Sequence, residues 1–162
     1  EGGPSPDGSF SAAMLSRQKK RRVILFTADT AVRDADAFAL RNLDLNAIRL
    51  SFEFANKEYF FYGGGLSWRY MGRNTESFYG AFVNGGANIT LFRNFRPYLQ
   101  LEASANTGAE LGLGFGAGLD FTIKRLLLNV SGGYNWIFDA DSKDGSKYSN
   151  FAAFGIGIGY TW

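Results

Sequence analysis

From Leu43 onward, large apolar residues alternate with small or polar ones at a period of two, as in strands whose two faces meet different surroundings. The clearest stretch is Glu110–Ile123. Its odd positions, from Leu111 to Ile123, are all apolar, and its even positions are Glu110, Gly112, Gly114, Gly116, Gly118, Asp120 and Thr122. The stretch 126–138 repeats the pattern with Leu126, Leu128, Val130, Tyr134, Trp136 and Phe138 on one face, and with Leu127 and Ile137 as exceptions on the other. A two-residue loop, Lys124-Arg125, joins them. Pairing Ile123 with Leu126 sets Phe121 opposite Leu128, Leu119 opposite Val130 and Phe115 opposite Tyr134. The apolar faces then coincide across the hairpin, which supports that register.

The same reading predicts eight strands, at 22–30, 42–54, 58–70, 77–92, 96–106, 110–123, 126–138 and 148–162. In the second, Leu43 and Leu45 have the opposite parity to Ile48, Leu50, Phe52 and Phe54, so a bulge is expected near Asn46-Ala47. The connections alternate in length. Those at 55–57, 93–95 and 124–125 are tight, and those at 31–41, 71–76, 107–109 and 139–147 are mostly longer. An even number of strands, with tight turns at one rim and longer loops at the other, is the layout of a bacterial outer-membrane barrel. Residues 1–21 precede it as a flexible, basic segment, and 22–162 form the barrel domain. A ninth strand at 9–16 is the alternative, and it places the N-terminus on the opposite side of the membrane.

Periodicity does not say which face is outside. A soluble, lipocalin-like barrel turns the apolar face inward, and it then presents Gly112, Gly114, Gly116 and Gly118 to water, where glycine adds neither solubility nor strand propensity. Inverted, the same glycines make room inside a lumen only wide enough for side chains. The inward polar set is then Arg49, Glu53, Arg69, Glu102 and Asp120, with Tyr98 and Gln100. Buried charges require partners, so a lumen-filling ion-pair network is expected, with a conduction path as its rival. Aromatic residues collect at strand ends, as interfacial girdles do. Trp68, Tyr70, Tyr79, Trp136 and Tyr148 lie toward the long loops, and Tyr160 and Trp162 toward the short turns.

Composition restricts the chemistry. The 162 residues include 21 Gly, 16 Phe, 8 Tyr and 3 Trp, and neither Cys nor His. Thiol and imidazole catalysis and Cys- or His-ligated metals are thereby excluded. No apolar run reaches the roughly 18–20 residues of a membrane-spanning helix, and no signal peptide opens the chain. Net charge is +2, but Arg17, Lys19, Lys20, Arg21 and Arg22 supply five of the 17 basic residues, and without them the balance is 12 against 15. So local a patch is not a nucleic-acid footprint. It suits a charged anchor at the inner rim, or docking to anionic lipid or to an acidic periplasmic partner, and Phe10, Ala13, Met14 and Arg17 share one helical face beside it. Asp139, Asp141 and Asp144 have the spacing that opens a calcium loop. Lys143 stands where Asp or Asn is required and no Glu closes the loop, so a solvated turn is expected and no metal is assigned.

The chain resembles the small eight-stranded outer-membrane barrels of Gram-negative bacteria, the OmpA transmembrane domain and OmpX-like proteins, over 22–162. The resemblance implies an all-β, antiparallel, up-and-down transmembrane β-barrel with both termini periplasmic, integral to the outer membrane and surrounded by lipopolysaccharide and phospholipid. It also implies a terminal-strand signal read by the barrel-assembly machinery, to which Gly157, Tyr160 and Trp162 correspond. Gly155 stands where a polar residue is usual, and Trp162 replaces the commoner Phe. Such a signal makes Trp162 the expected C-terminus. Enzymatic barrels of this size use histidine, so no enzyme and no cofactor are expected. What remains is a structural or interaction role, with or without an envelope partner. The alternatives are a narrow solute channel, or an adhesin acting through 31–41 and 139–147.

Overall fold

A computed structural model describes residues 21–32, 43–57, 59–71, 77–91, 94–107, 110–139 and 150–162. They form β1 (Arg21–Val32), β2 (Leu43–Lys57), β3 (Phe60–Met71), β4 (Ser77–Asn88), β5 (Phe95–Asn106), β6 (Glu110–Ile123), β7 (Leu126–Asp139) and β8 (Asn150–Thr161). Each strand pairs antiparallel with its sequence neighbours, and β1 pairs with β8 to close the barrel. That closure uses both edges of the sheet, so the described barrel has no edge for a ninth strand. Residues 1–20, which hold most of the predicted N-terminal segment, lie outside the described residues.

The β6–β7 hairpin has the register that parity predicts. Ile123 faces Leu126, Phe121 faces Leu128, Leu119 faces Val130 and Phe115 faces Tyr134. Its two-residue turn holds Lys124 at φ 58°, in the left-handed region that costs a non-glycine residue about 1–2 kcal/mol.

Two local expectations shift. The bulge in β2 is at Asp44, where Leu43 and Leu45 face the consecutive residues Val32 and Ala31, rather than at Asn46-Ala47. A parity change shows that a residue has been inserted but leaves its position open by a step or two. β4 ends at Asn88 instead of running to 92. Pro97 explains this. Its carbonyl accepts from Ile89 N at 3.1 Å, but it has no N–H to return, so the ladder stops. The chain closes the turn further on with a reciprocal pair, Leu91 N to Phe95 O at 2.7 Å and Phe95 N to Leu91 O at 3.0 Å.

The apolar face is outside. Leu66, Val83, Leu101, Leu113, Val130 and Ile156 are all exposed, and at mid-strand Leu101 is 66% exposed. The core is the lumen, and much of it is polar: Glu53, Arg96, Glu102, Asp120, Asn88 and Asn129 are buried. Strands of 12–15 residues at about 3.3 Å per residue, tilted by roughly 40°, project about 30 Å or more onto the barrel axis, the thickness of a bilayer's hydrocarbon.

Candidate functional site

The lumen is built in tiers of charge. Nearest the short turns, Arg96 on β5 is 3% exposed and is the hub. Its Nε donates to Asp120 Oδ2 at 2.8 Å and its Nη2 to Glu53 Oε2 at 3.3 Å, with a second, shorter bond to Asp120. The other carboxylate oxygen of Asp120 accepts from Asn129 Nδ2 at 2.7 Å, and that nitrogen also donates to the Tyr98 hydroxyl at 2.9 Å. Around mid-barrel, Arg49 pairs with Glu102 and, at 3.5 Å, with Asp29. Asn84 Nδ2 donates to Gln100 Oε1 at 3.3 Å in the same region. Toward the long loops, Arg69 is buried beside Phe151, its guanidinium 5.8 Å from the ring centroid.

The predicted inward set Arg49, Glu53, Arg69, Glu102 and Asp120 therefore lies in the lumen, but not as one network. Glu53 and Asp120 share Arg96, Glu102 shares Arg49 with Asp29, and Arg69 lines the same small space as Asp29 and Arg49, beside Phe151. Sequence reasoning missed Arg96 and Asp29. Arg96 has the parity of Tyr98, Gln100 and Glu102, and continuing that alternation one step toward the N-terminus finds it. Asp29 was hidden because β1 is apolar on both faces near its start. Val23 and Leu25 point inward and pack with Leu127, which is 0% exposed. This cluster also accounts for Leu127 as an exception in the β7 pattern.

The inward aromatic residues stand against the guanidinium groups. Arg49 Cζ lies 3.9 Å from the Phe82 ring centroid, and Arg96 Cζ lies 5.5 Å from that of Phe61. Cation–π contact and desolvation by the same ring hold each guanidinium in place for its carboxylate. Inward glycines supply the space. A Cβ on Gly65 would lie 2.9 Å from Phe82 Cζ, one on Gly86 2.8 Å from Phe61 Cε1, and one on Gly118 2.7 Å from Tyr98 Cε1. These three glycines thus each stand against a large inward ring, while others of the small face, such as Gly112 and Gly155, make room for Ser104 and Asp29.

At the short-turn rim the predicted basic patch divides. Arg21 turns toward the lumen mouth, its Nε donating to Thr161 Oγ1 at 3.0 Å and its Nη2 to Thr122 Oγ1 at 3.2 Å. Arg22 is exposed and pairs in register with the outward Phe54. Arg17, Lys19 and Lys20 lie outside the described residues. Tyr160 and Trp162 are exposed on the outer surface with ring centroids 6.0 Å apart, and Gly157 faces Thr27 across the β1–β8 pairing. At the opposite rim Trp68, Tyr79 and Trp136 are exposed. Of Tyr70 and Asp139 only the backbone is described, while Tyr148, Asp141 and Asp144 lie outside the described residues.

No protein-family model matches this sequence, and no curated protein does. Solved structures do. A de novo designed transmembrane β-barrel aligns at TM-score 0.66 and 19% identity, over 91% of this chain and 100% of the design. The N-terminal β-barrel domain of Pseudomonas aeruginosa OprF aligns at 0.62 and 10%, over 91% and 100%. The Yersinia pestis attachment invasion locus protein Ail, solved with the heparin analogue sucrose octasulfate, aligns at 0.59 and 16%, over 90% and 100%. At such identities the likeness is one of fold. The closed eight-stranded register, the apolar exterior and these alignments together give the chain the fold of the small outer-membrane β-barrels of Gram-negative bacteria.

Proposed function

We propose that this chain is an integral outer-membrane barrel, with both termini on the periplasmic side, whose role is structural or interactive rather than conductive or catalytic. The observation that carries this reading is the filled lumen. Among the described residues, three spaces between the charged tiers measure about 40, 30 and 30 Å³, room for single waters or small groups of them. Arg49 and Arg96 are each shared between two carboxylates, an arrangement that resists opening because either side left alone is an uncompensated buried charge. The lumen carboxylates are committed to these pairs, which argues against their serving as an acid–base couple. On this reading the partners are lipopolysaccharide and phospholipid around the belt, the assembly machinery at Gly157, Tyr160 and Trp162, and an envelope protein for which the barrel is an anchor or subunit.

Planar-bilayer recording tests it. The barrel is expected to give no discrete conductance at 1 M salt. Reproducible unitary openings that change size or vanish in Arg49→Gln or Arg96→Met overturn the structural reading in favour of a channel.

A further inference from the structure

The short-turn rim between β6 and β1 carries cations on its outer surface in an arrangement the lumen does not use. Backbone bonds hold it together. Thr161 N donates to Arg125 O at 2.9 Å, Arg22 N to Trp162 O at 3.2 Å, and Trp162 N to Arg22 O at 3.1 Å. Arg125, Trp162 and Arg22 therefore follow one another around the rim, with Lys124 beside Arg125 in the turn. Tyr160 and Trp162 lie among them, and Arg125 Nη1 donates to the Tyr160 hydroxyl at 2.9 Å. Immediately above are the exposed apolar residues Ile123, Leu126 and Ile158. Among the described residues, no carboxylate forms an ion pair with Arg22, Lys124 or Arg125. Three exposed cations thus frame two amphipathic rings at the boundary between the apolar belt and water.

We propose that this rim, Arg22, Lys124 and Arg125 around Tyr160 and Trp162, binds the phosphate headgroup of anionic phospholipid. The inference rests on the reading of the barrel as membrane-spanning. Charge complementarity and position choose the occupant. The cations lie at the level where Trp and Tyr meet headgroups, and the surface above them is continuous with the hydrocarbon-facing belt. A lipid satisfies both halves at once, its acyl chains against Ile123, Leu126 and Ile158 and its phosphate among the guanidinium and ammonium groups. An acidic soluble protein meets only the charged half.

The test uses the full chain refolded into phosphatidylcholine vesicles containing brominated lipid, with Trp162 as the only tryptophan (Trp68→Phe, Trp136→Phe). Brominated phosphatidylglycerol and brominated phosphatidylcholine are compared as quenchers. A cation near such a surface favours an anionic lipid by about fivefold at low salt. The Trp162 site is therefore expected to prefer phosphatidylglycerol by at least that factor, and the preference should fall toward one in 0.5 M salt. It should also fall toward one in Arg22→Gln/Lys124→Gly/Arg125→Gln. Lys124→Gly alone removes a charge at a position whose backbone suits glycine, so its loss of preference is not attributable to misfolding. A companion protein with only Trp136, at the other rim, is expected to show a preference near one. Equal quenching by the two lipids, a preference unchanged in the triple variant, or the same preference at both rims overturns the headgroup site. Failure of every brominated lipid to quench either tryptophan overturns the membrane-spanning reading itself.

Discussion

Replacing Arg96 with methionine is the most direct test of how the lumen is held together. The substitution keeps an unbranched chain in place and removes the charge. It leaves Glu53, 7% exposed, and Asp120, 1% exposed, facing each other without the guanidinium that now bonds to both. Breaking a buried pair in this way costs about 3–5 kcal/mol, most of it the burden of the carboxylates left behind rather than the worth of the lost bonds. For a urea dependence of about 2 kcal/mol per M, a loss of about 4 kcal/mol lowers the unfolding midpoint by about 2 M. Equilibrium unfolding in phospholipid vesicles measures this, followed by tryptophan emission and by the heat-modifiable gel shift of the folded barrel.

The triple variant Arg96→Met/Glu53→Gln/Asp120→Asn separates the two explanations. Removing all three charges is expected to recover most of the loss, to within about 1–2 kcal/mol of the parent, since a neutral cluster carries no uncompensated ion. If Arg96→Met lies within about 1 kcal/mol of the parent, the pairing is not what stabilises this tier. If the triple variant is as unstable as the single one, the loss comes from packing against Phe61 and Tyr98, and the electrostatic account fails.

Other outcomes follow from the same geometry. Leu101→Arg places a charge on the outer face at mid-strand and is expected to cost about 2–4 kcal/mol in vesicles, while Thr107→Arg, just beyond the end of β5, costs at most about 1 kcal/mol; equal costs at the two sites would falsify hydrocarbon contact at Leu101. Gly118→Val drives a side chain into the Tyr98 ring and is expected to destabilise by about 1–3 kcal/mol or more, and in a double-mutant cycle Tyr98→Ala should relieve most of that loss. Trp162→Ala is expected to lower the folded fraction in cells further than in vesicle refolding, with Trp162→Phe restoring both; equal losses in the two settings would mean that Trp162 acts through packing against Tyr160 alone.

Which residues share a face was legible from parity, because two different surroundings on the two sides of a strand write a period of two, and which face lies outside was legible only from the glycines of the small face. The signal was strongest at Glu110–Ile123, where the inner positions are mostly glycine, and weakest in β1, where Val23 and Leu25 make the inner face apolar as well. Parity also placed Glu53, Glu102 and Asp120 on the inner face. It could not pair them, because ion-pair partners depend on the stagger between non-neighbouring strands across the lumen. Glu53 on β2 and Arg96 on β5 meet through the barrel interior, and neither hairpin register nor loop length encodes that contact. The end of β4 is a different case. Pro97 announced in the sequence that its own N–H was missing, but the consequence falls on the partner strand, so it becomes readable only once the pairing of β4 with β5 is known.

Among the described residues three glycines face outward, each in register with an aromatic residue on a neighbouring strand. Gly64 lies in register with Phe52, Gly85 with Tyr62 and Gly132 with Phe154. A glycine on a lipid-facing strand leaves the backbone bare where hydrocarbon offers it no hydrogen bond, and an aromatic ring on the adjacent strand can cover it. At Gly132 the cover is direct, since a Cβ there would lie 3.2 Å from Phe154 Cδ1. A ring seated over bare backbone in this way should matter more than an ordinary exposed aromatic residue. Phe154→Ala is therefore expected to cost more stability in vesicles than Phe115→Ala, although the two rings are about equally exposed, 45% and 47%. The excess should disappear in the Gly132→Ala background, where the added methyl group already shields the backbone. If the two phenylalanine truncations cost the same in the parent barrel, the ring over Gly132 is ordinary lipid-facing surface and shields nothing in particular.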